Sequence, residues 1–417
     1  MVCNPFGRAA DRFILRCKED DMNNFSYFST VRTMFNNDLA EGLAEARKVL
    51  GVNKAMIMTD PGVAALPIWG EMLQAMDSIG FAYETFTNVK PNPTDVTMTE
   101  AANALKATDC DVVIGFGGGS AIDTAKAAAL LATNAGELSD YYGMNKVKNR
   151  CLPQLMVTTT AGSGAEVTQF ISIVDTKQQT KQQIGSPYCV ADVALLCPTL
   201  LKNSPRSVTA DAGFDALAHC IEGFIGRRAN PITDAIAIKT FGMICANLLT
   251  FVNDPNNIEA AGNMVLAAHM STMIASNIGT GDGHNIGLAI GGRFNISHGT
   301  TLAVLLPHVL AFNVEAASAK LAEAARVMGI DTGAMTELEA AKACVLAIQK
   351  LRDDLQLPNN FKDYGMTATE ADLEAVADTA EYKNKVGASA GSAPRKGTRE
   401  DFKRIALDAY NGKKVEF

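Results

Sequence analysis

The sequence predicts an α/β half, a parallel sheet flanked by helices, followed by an all-α half. Two observations carry this expectation. Up to about residue 200, short apolar runs alternate with helical patterns, as strands covered on both faces require. Beyond about residue 205 strand signals nearly vanish, and Ala-, Leu- and Met-rich helical stretches take over. The change of texture at Pro198–Pro205 divides the chain into 22–204 and 205–417, with 1–21 as an appendage ahead of Met22.

In order, Leu39 to Leu50 reads as a helix ended by Gly51. Lys54 to Thr59 is a strand closed by Asp60-Pro61-Gly62. Trp69 to Ile79 is a helix, Phe81 to Phe86 a strand, and Thr94 to Ala107 a helix with a threonine cap. Asp111 to Phe116 is a strand entering Gly117-Gly118-Gly119-Ser120, and Ala121 to Ala132 a helix. Leu155 to Thr158 and Val193 to Leu196 are buried strands, while Val167 to Val174 alternates like an antiparallel one. Helices are expected over 207–225, 233–249, 257–276, 298–313, 321–328, 337–355, 370–380 and 399–410. Gly279 to Gly283 reads as a break, and Gly387 to Gly397 as a mobile loop.

Lys and Arg number 37 against 45 Asp and Glu, a net charge of −8. Such acidity argues against a non-specific nucleic-acid binder, whose affinity comes from cations on phosphates. Nine cysteines form no CxxC pair. They read as free thiols of a reducing compartment, and the chain as cytoplasmic. No continuous apolar run approaches the roughly 20 residues of a membrane span, and residues 1–21 lack the apolar core of a signal peptide.

Gly117, Gly118, Gly119 and Ser120 follow a buried strand and open a helix. Amide groups at a helix N-terminus carry partial positive charge, and glycines let a phosphate approach the main chain. This context favours a pyrophosphate cradle over a simple turn. A second polar loop, Thr158 to Gly164, also follows a strand. Asp60 ends an earlier one; an acid there can bind ribose hydroxyls and repel a 2′-phosphate, although as a lone residue it reads better as a turn cap.

The chain has five histidines: His219, His269, His284, His298 and His308. Asp215 and His219 lie four apart on a helical stretch and share a face, with Asp211 on it too. His284 follows the glycine break and His298 opens the next helix. One carboxylate with three imidazoles suits a divalent transition metal such as iron or zinc, not calcium. A lone buried histidine is ordinarily a core residue; the pairing with Asp215 and the gathering of histidines favour a metal.

Together these segments resemble the iron-containing (group III) alcohol dehydrogenases, from about Phe25 to Tyr410. Gly117 to Lys126, which includes Asp123, looks like the family's cofactor loop, and Thr159 to Thr168 like its second signature. Asp215-Ala216-Leu217-Ala218-His219 with Ile221-Glu222 looks like the first metal pair; His284 and His298 match the other two ligands, and Leu305 to Val309 the segment that follows. The resemblance implies a dehydroquinate synthase-like architecture, a dinucleotide domain followed by a helical one. It implies Asp215, His219, His284 and His298 as ligands of one divalent ion, Fe2+ ahead of Zn2+. It implies Gly117, Gly118, Gly119, Ser120, Asp123, Thr159, Thr160, Ser163 and Lys181 as cofactor contacts, with Asp60 favouring NAD(H) over NADP(H). Asp211 becomes a neighbour of the ligands, His269 and His308 structural residues, and the molecule a homodimer or higher homo-oligomer. Two departures stand out: Leu288 replaces a histidine common four residues after the third ligand, and Cys197-Pro198 stands where Asp-Pro is common.

The expected reaction interconverts a small aldehyde and its primary alcohol. Arg293, in Gly291-Gly292-Arg293-Phe294-Asn295, reads as a bidentate anion receptor in a cleft loop. With Leu288 it suggests a pocket for an acid-bearing aldehyde, such as sulfoacetaldehyde reduced to isethionate. The plainer alternatives are a surface arginine and an ordinary short-chain alcohol or diol dehydrogenase of the butanol or 1,3-propanediol type. A dehydroquinate-synthase-like lyase would share the architecture, but four intact ligand positions favour the dehydrogenase. A filament- or shell-associated subunit is motivated by residues 1–21 alone.

Overall fold

The computed structural model describes residues 25–178, 180–386 and 389–417. The 1–21 appendage lies outside the described residues. The first half contains β1 (Arg32–Phe35), α1 (Leu39–Leu50), β2 (Lys54–Met58), α2 (Pro67–Ser78), β3 (Ala82–Phe86), α3 (Asp95–Lys106), β4 (Val112–Gly117) and α4 (Gly119–Thr133). It continues with β5 (Gly143–Met144), β6 (Gln154–Thr158), β7 (Phe170–Asp175), β8 (Thr180–Gly185) and β9 (Val193–Leu196). Local chemistry sets the ends. Asp38 caps α1, Thr94 and Thr97 form a reciprocal capping box on α3, and Gly51 ends α1 at φ 67°.

Six strands form a parallel sheet in the order β1-β9-β6-β4-β2-β3. All residues of β4 and β6 are buried, which explains their unbroken apolar runs. The chain places β3 on one side of β2 and then returns to place β4 on the other. The crevice at the carboxyl ends of β2 and β4 is therefore a topological switch point, the usual ligand position in such sheets. Met58 pairs with Gly115, so the register brings Asp60 beside Gly117.

β7 does pair antiparallel, with β8, and β5 joins β8 to complete a second, three-stranded sheet. β8 reads Thr-Lys-Gln-Gln-Ile-Gly, too polar to announce itself as a strand.

The second half is helical: α5 (Arg206–Ile225), α6 (Pro231–Asn253), α7 (Ile258–Ile278), α8 (Asp282–Phe294), α9 (His298–Asn313), α10 (Ser318–Val327), α11 (Glu337–Asp354), α12 (Glu370–Val386) and α13 (Arg399–Asn411). One expectation needs correction. Residues 282–294, read as break and loop, form α8; the glycines that obscured it serve close packing at one end and leave its other end open. In addition, α6 is apolar and long enough to cross a membrane by length and composition, with a mean hydropathy of 1.8. Asp234 and Lys239 interrupt it, so no unbroken apolar run is visible; it packs along α5 and α7. In the loop after α12, Ser389 accepts hydrogen bonds from Thr280 N (2.8 Å), and Ser392 Oγ donates to Thr280 O. The described part of that loop is thus tied to the start of α8.

Candidate active site

The helix α5 organises the site. Asp211, Asp215, His219 and Glu222 follow one another at intervals of four, four and three residues, so all four lie on one face. Asp215 Oδ1 lies 3.5 Å from His219 Nδ1, 3.6 Å from His284 Nε2 and 3.8 Å from His298 Nε2. One donor atom each from Asp215, His284 and His298 falls within 4.8 Å of the others. The His219 ring stacks beside His284 at 4.5 Å between centroids.

Three atoms of this cluster, Asp215 Oδ1, His219 Nδ1 and His284 Nε2, are buried without a hydrogen-bond partner. Uncompensated polar atoms converging on one point fit a cation. The electrostatics agree. Burial pushes the His219 and His298 pKa values down to about 4 and about 3, leaving neutral imidazoles with lone pairs to give. Burial also disfavours a charged His284, yet Asp215 and Glu222 outweigh it and hold its pKa up to about 9. The two carboxylates thus call for positive charge at the centre of the cluster. Asp215 itself is lowered, because the histidines overcome the cost of its burial.

Two residues that the sequence reading gave no task support this cluster. Glu222 Oε2 accepts from His284 Nδ1 at 2.5 Å, which turns Nε2 toward Asp215. The same carboxylate accepts from Gly283 N at 2.6 Å and Gly281 N at 3.2 Å. A Cβ at either glycine would lie 2.7 Å from Glu222 Oε1, so the glycines make room for it. Asp211 Oδ1 accepts from Ser297 Oγ (2.6 Å), Thr300 N (2.5 Å) and Thr300 Oγ1 (2.8 Å), capping α9 where His298 begins it. A Cβ at Gly299 would lie 1.9 Å from the Asp211 carbonyl oxygen. The signal for Glu222 was available in its spacing from His219; that for Asp211 needs the fold.

A cavity of about 540 Å³ runs from this cluster to the glycine loop. Gly118, Gly119, Ser120 and Asp123 line one end, and His219, His284 and His298 the other. Gly118 begins α4 without a side-chain cap, leaving its amides toward the cavity. A Cβ on Gly119 would lie 3.1 Å from Ser163 Oγ, so glycine keeps open the gap between the two loops. Ser120 does not cap the helix but lines the cavity, as do Thr160, Ser163 and Lys181. Asp60, Gly117 and Thr159 stand behind this wall: Asp60 accepts from Val63 N at 3.0 Å, and Thr159 N donates to Gly117 O at 3.0 Å. Asp123 accepts from Ser172 N, and burial pushes its pKa up to about 6. The fully buried Lys126 donates to the carbonyls of Ala165, Thr168 (2.8 Å) and Phe170 (3.3 Å), fastening the second loop to α4.

Leu288 lines the cavity one turn beyond His284. Arg293 does not, which corrects its reading as an anion receptor. Nine residues along α8 from His284 amount to half a rotation at the helical period, so Arg293 points away from the Asp215–histidine cluster. Its guanidinium pairs with Asp372 at 2.6 and 2.8 Å instead. His269 bridges Thr33 and Glu166 and His308 is buried in α9, both outside the metal cluster.

Comparison with known proteins agrees with this arrangement. Residues 30–198 match the family model for iron-containing alcohol dehydrogenase, and residues 209–410 that for the C-terminal part of the Fe-containing alcohol dehydrogenase family. The chain is 31% identical to an NAD-dependent methanol dehydrogenase of Bacillus methanolicus, over 87% of this chain and 93% of that one. It is 33% identical to a sulfoacetaldehyde reductase of Bilophila wadsworthia, over 82% and 88%. The crystal structure of a 1,3-propanediol oxidoreductase superposes with a TM-score of 0.89 at 31% identity, covering 93% of this chain and all of that one. With both halves matched and the donor cluster assembled, the chain belongs to the iron-containing alcohol dehydrogenase family and is an alcohol oxidoreductase.

Proposed function

We propose that this oxidoreductase uses NAD(H) and one divalent metal to interconvert a small aldehyde and its primary alcohol. The observation that carries the reading is a cavity joining an uncapped helix N-terminus to the cluster of Asp215, His219, His284 and His298, in which the first three present orphaned polar atoms. Asp215, His219, His284 and His298 would hold the metal, iron ahead of zinc. Gly118, Gly119, Ser120, Asp123, Thr160, Ser163 and Lys181 would hold the cofactor, with Gly117 and Thr159 bracing the loops behind them. When bound, the metal supplies a Lewis acid for the substrate oxygen, and the dinucleotide the hydride. The chain would contribute orientation and field: the uncapped amides of α4 would receive the diphosphate, Glu222 and Asp211 fix His284 and His298, and Leu288 keeps one wall apolar.

Asp60, beside Gly117 at the switch point, supports a preference for NAD(H), and the name of the methanol dehydrogenase relative agrees. The names of the diol and sulfoacetaldehyde relatives support a small substrate, neutral or anionic. Seven described cysteines, all free, fit a cytoplasmic setting. The exposed Phe35 on the sheet-edge strand β1 fits pairing with a second copy. A screen of NADH oxidation with small aldehydes, on anaerobically metallated protein, tests the reading. His284→Ala should lose both metal and turnover while its circular dichroism stays unchanged. Full metal occupancy in that variant would overturn the ligand set, and no aldehyde-dependent NADH oxidation by the unmutated protein would overturn the function.

A further inference from the structure

We propose that Lys383 recognises a negative charge on the substrate, making the cavity selective for short aldehydes that carry a carboxylate or sulfonate. The inference rests on the reading above that the site reduces small aldehydes, and it names which ones.

Lys181 and Lys383 line the cavity, and neither forms an ion pair or hydrogen bond among the described residues. That sets them apart from other covered lysines: the fully buried Lys126 is bonded to three carbonyls, and the partly buried Lys320 and Lys403 are held by Asp234 and by Glu370 and Glu374. Lys181 has Asp123 and Asp215 as electrostatic neighbours. Lys383 has no such acid; burial and the Lys181 ammonium both push its pKa down. A half-buried ammonium that faces the cavity with no carboxylate of its own, although Asp123, Asp211 and Asp215 line the cavity elsewhere, is a position that a ligand's anion would complete.

Its place in the fold points to the substrate end. Lys383 lies on α12, which packs against α8, the helix that carries His284 and Leu288. Six residues on, Ser389 bonds Thr280, four residues before His284. The glycine loop belongs to the other half of the molecule, on α4. With the aldehyde oxygen directed to the metal cluster and Leu288 offering an apolar wall, Lys383 is left for the far end of a short chain. It takes the role that the outward-facing Arg293 cannot.

Steady-state kinetics on the metal-loaded enzyme with NADH test this. The substrates are sulfoacetaldehyde and succinic semialdehyde against propanal and pentanal. The unmutated enzyme should show higher kcat/KM for the two anionic aldehydes. Lys383→Met should lower the anionic-to-neutral ratio by about tenfold to a hundredfold, the usual weight of a charged hydrogen bond. Lys383→Arg should restore most of it, and KM for NADH should hold steady. Neutral aldehydes turned over as well as anionic ones by the unmutated enzyme would overturn the assignment while leaving the general reading standing. So would an equal loss on all four substrates in Lys383→Met, or a loss confined to KM for NADH. No aldehyde-dependent turnover at all would overturn the general reading, and this inference with it.

Discussion

Glu222 shows how much one side chain decides. Its carboxylate holds the Nδ1 proton of His284 and two backbone amides of the turn before it, all with no contact to solvent worth the name, at 2% exposure. Glu222→Gln keeps the volume but loses the charge that fixes the imidazole tautomer. Metal affinity should fall by about tenfold to a hundredfold, the usual cost of losing such a partner. A competitive chelator titration measures this, and an unchanged affinity would mean that the tautomer is set elsewhere. The Asp215–His219 pair was legible in the sequence because both share a helix face, and that face extends to Glu222; His284 and His298 joined it through the family resemblance. Lys383 was not legible: only the packing of α12 on α8 brings it to the cavity. Arg293 reads as a cleft residue only while its segment reads as a loop; as part of α8 the helical period turns it outward.

At the scale of elements, α8 was hidden by glycine. Gly281, Gly283, Gly287, Gly291 and Gly292 lower intrinsic helix propensity, so the stretch read as a break. Tertiary contacts override that weakness, and the glycines divide by purpose. A Cβ on Gly283 would collide with Glu222, whereas one on Gly292 meets nothing within 4 Å. Gly292→Ala should therefore stabilise the protein, by about 0.5–1 kcal/mol through helix propensity. Gly283→Ala should weaken metal binding. Urea unfolding of the first and metal titration of the second check the pair; a destabilised Gly292→Ala would show that α8 needs flexibility at its end. β4, α3 and α1 were legible because hydrophobic pattern and caps agree there. β8 was not, because its alternating polar residues are held by β7 and by the cavity they border.

For the whole molecule, acid stability follows from a residue outside the site. Burial pushes the His308 pKa down from 6.5 to about 4. Between those values the unfolded chain holds a proton that the folded chain refuses, so stability rises with pH across the window and falls on acidification. This one group should account for about 2 kcal/mol of lost stability between pH 7 and pH 5. His308→Leu should flatten the dependence by that amount in urea melts at the two pH values, and an unaltered slope would assign the loss to other groups. The division into a parallel-sheet half and a helical half was legible at this scale, because burial on both faces of a sheet and on one stripe of a helix leave different periodicities.

The α5 face has one more implication, for change over generations rather than for catalysis. Asp211, Asp215, His219 and Glu222 take their places from a single helical register, and through it they settle His284 and His298 on two other helices. Inserting or deleting one residue between Asp211 and Glu222 would rotate part of the face by about 100° and disconnect three helices at once. Loops that touch none of these three helices can lengthen without touching that alignment. Inherited variation should therefore appear as substitutions along α5 but as length changes around it, and a designer grafting this centre onto another scaffold would have to carry the helix over intact.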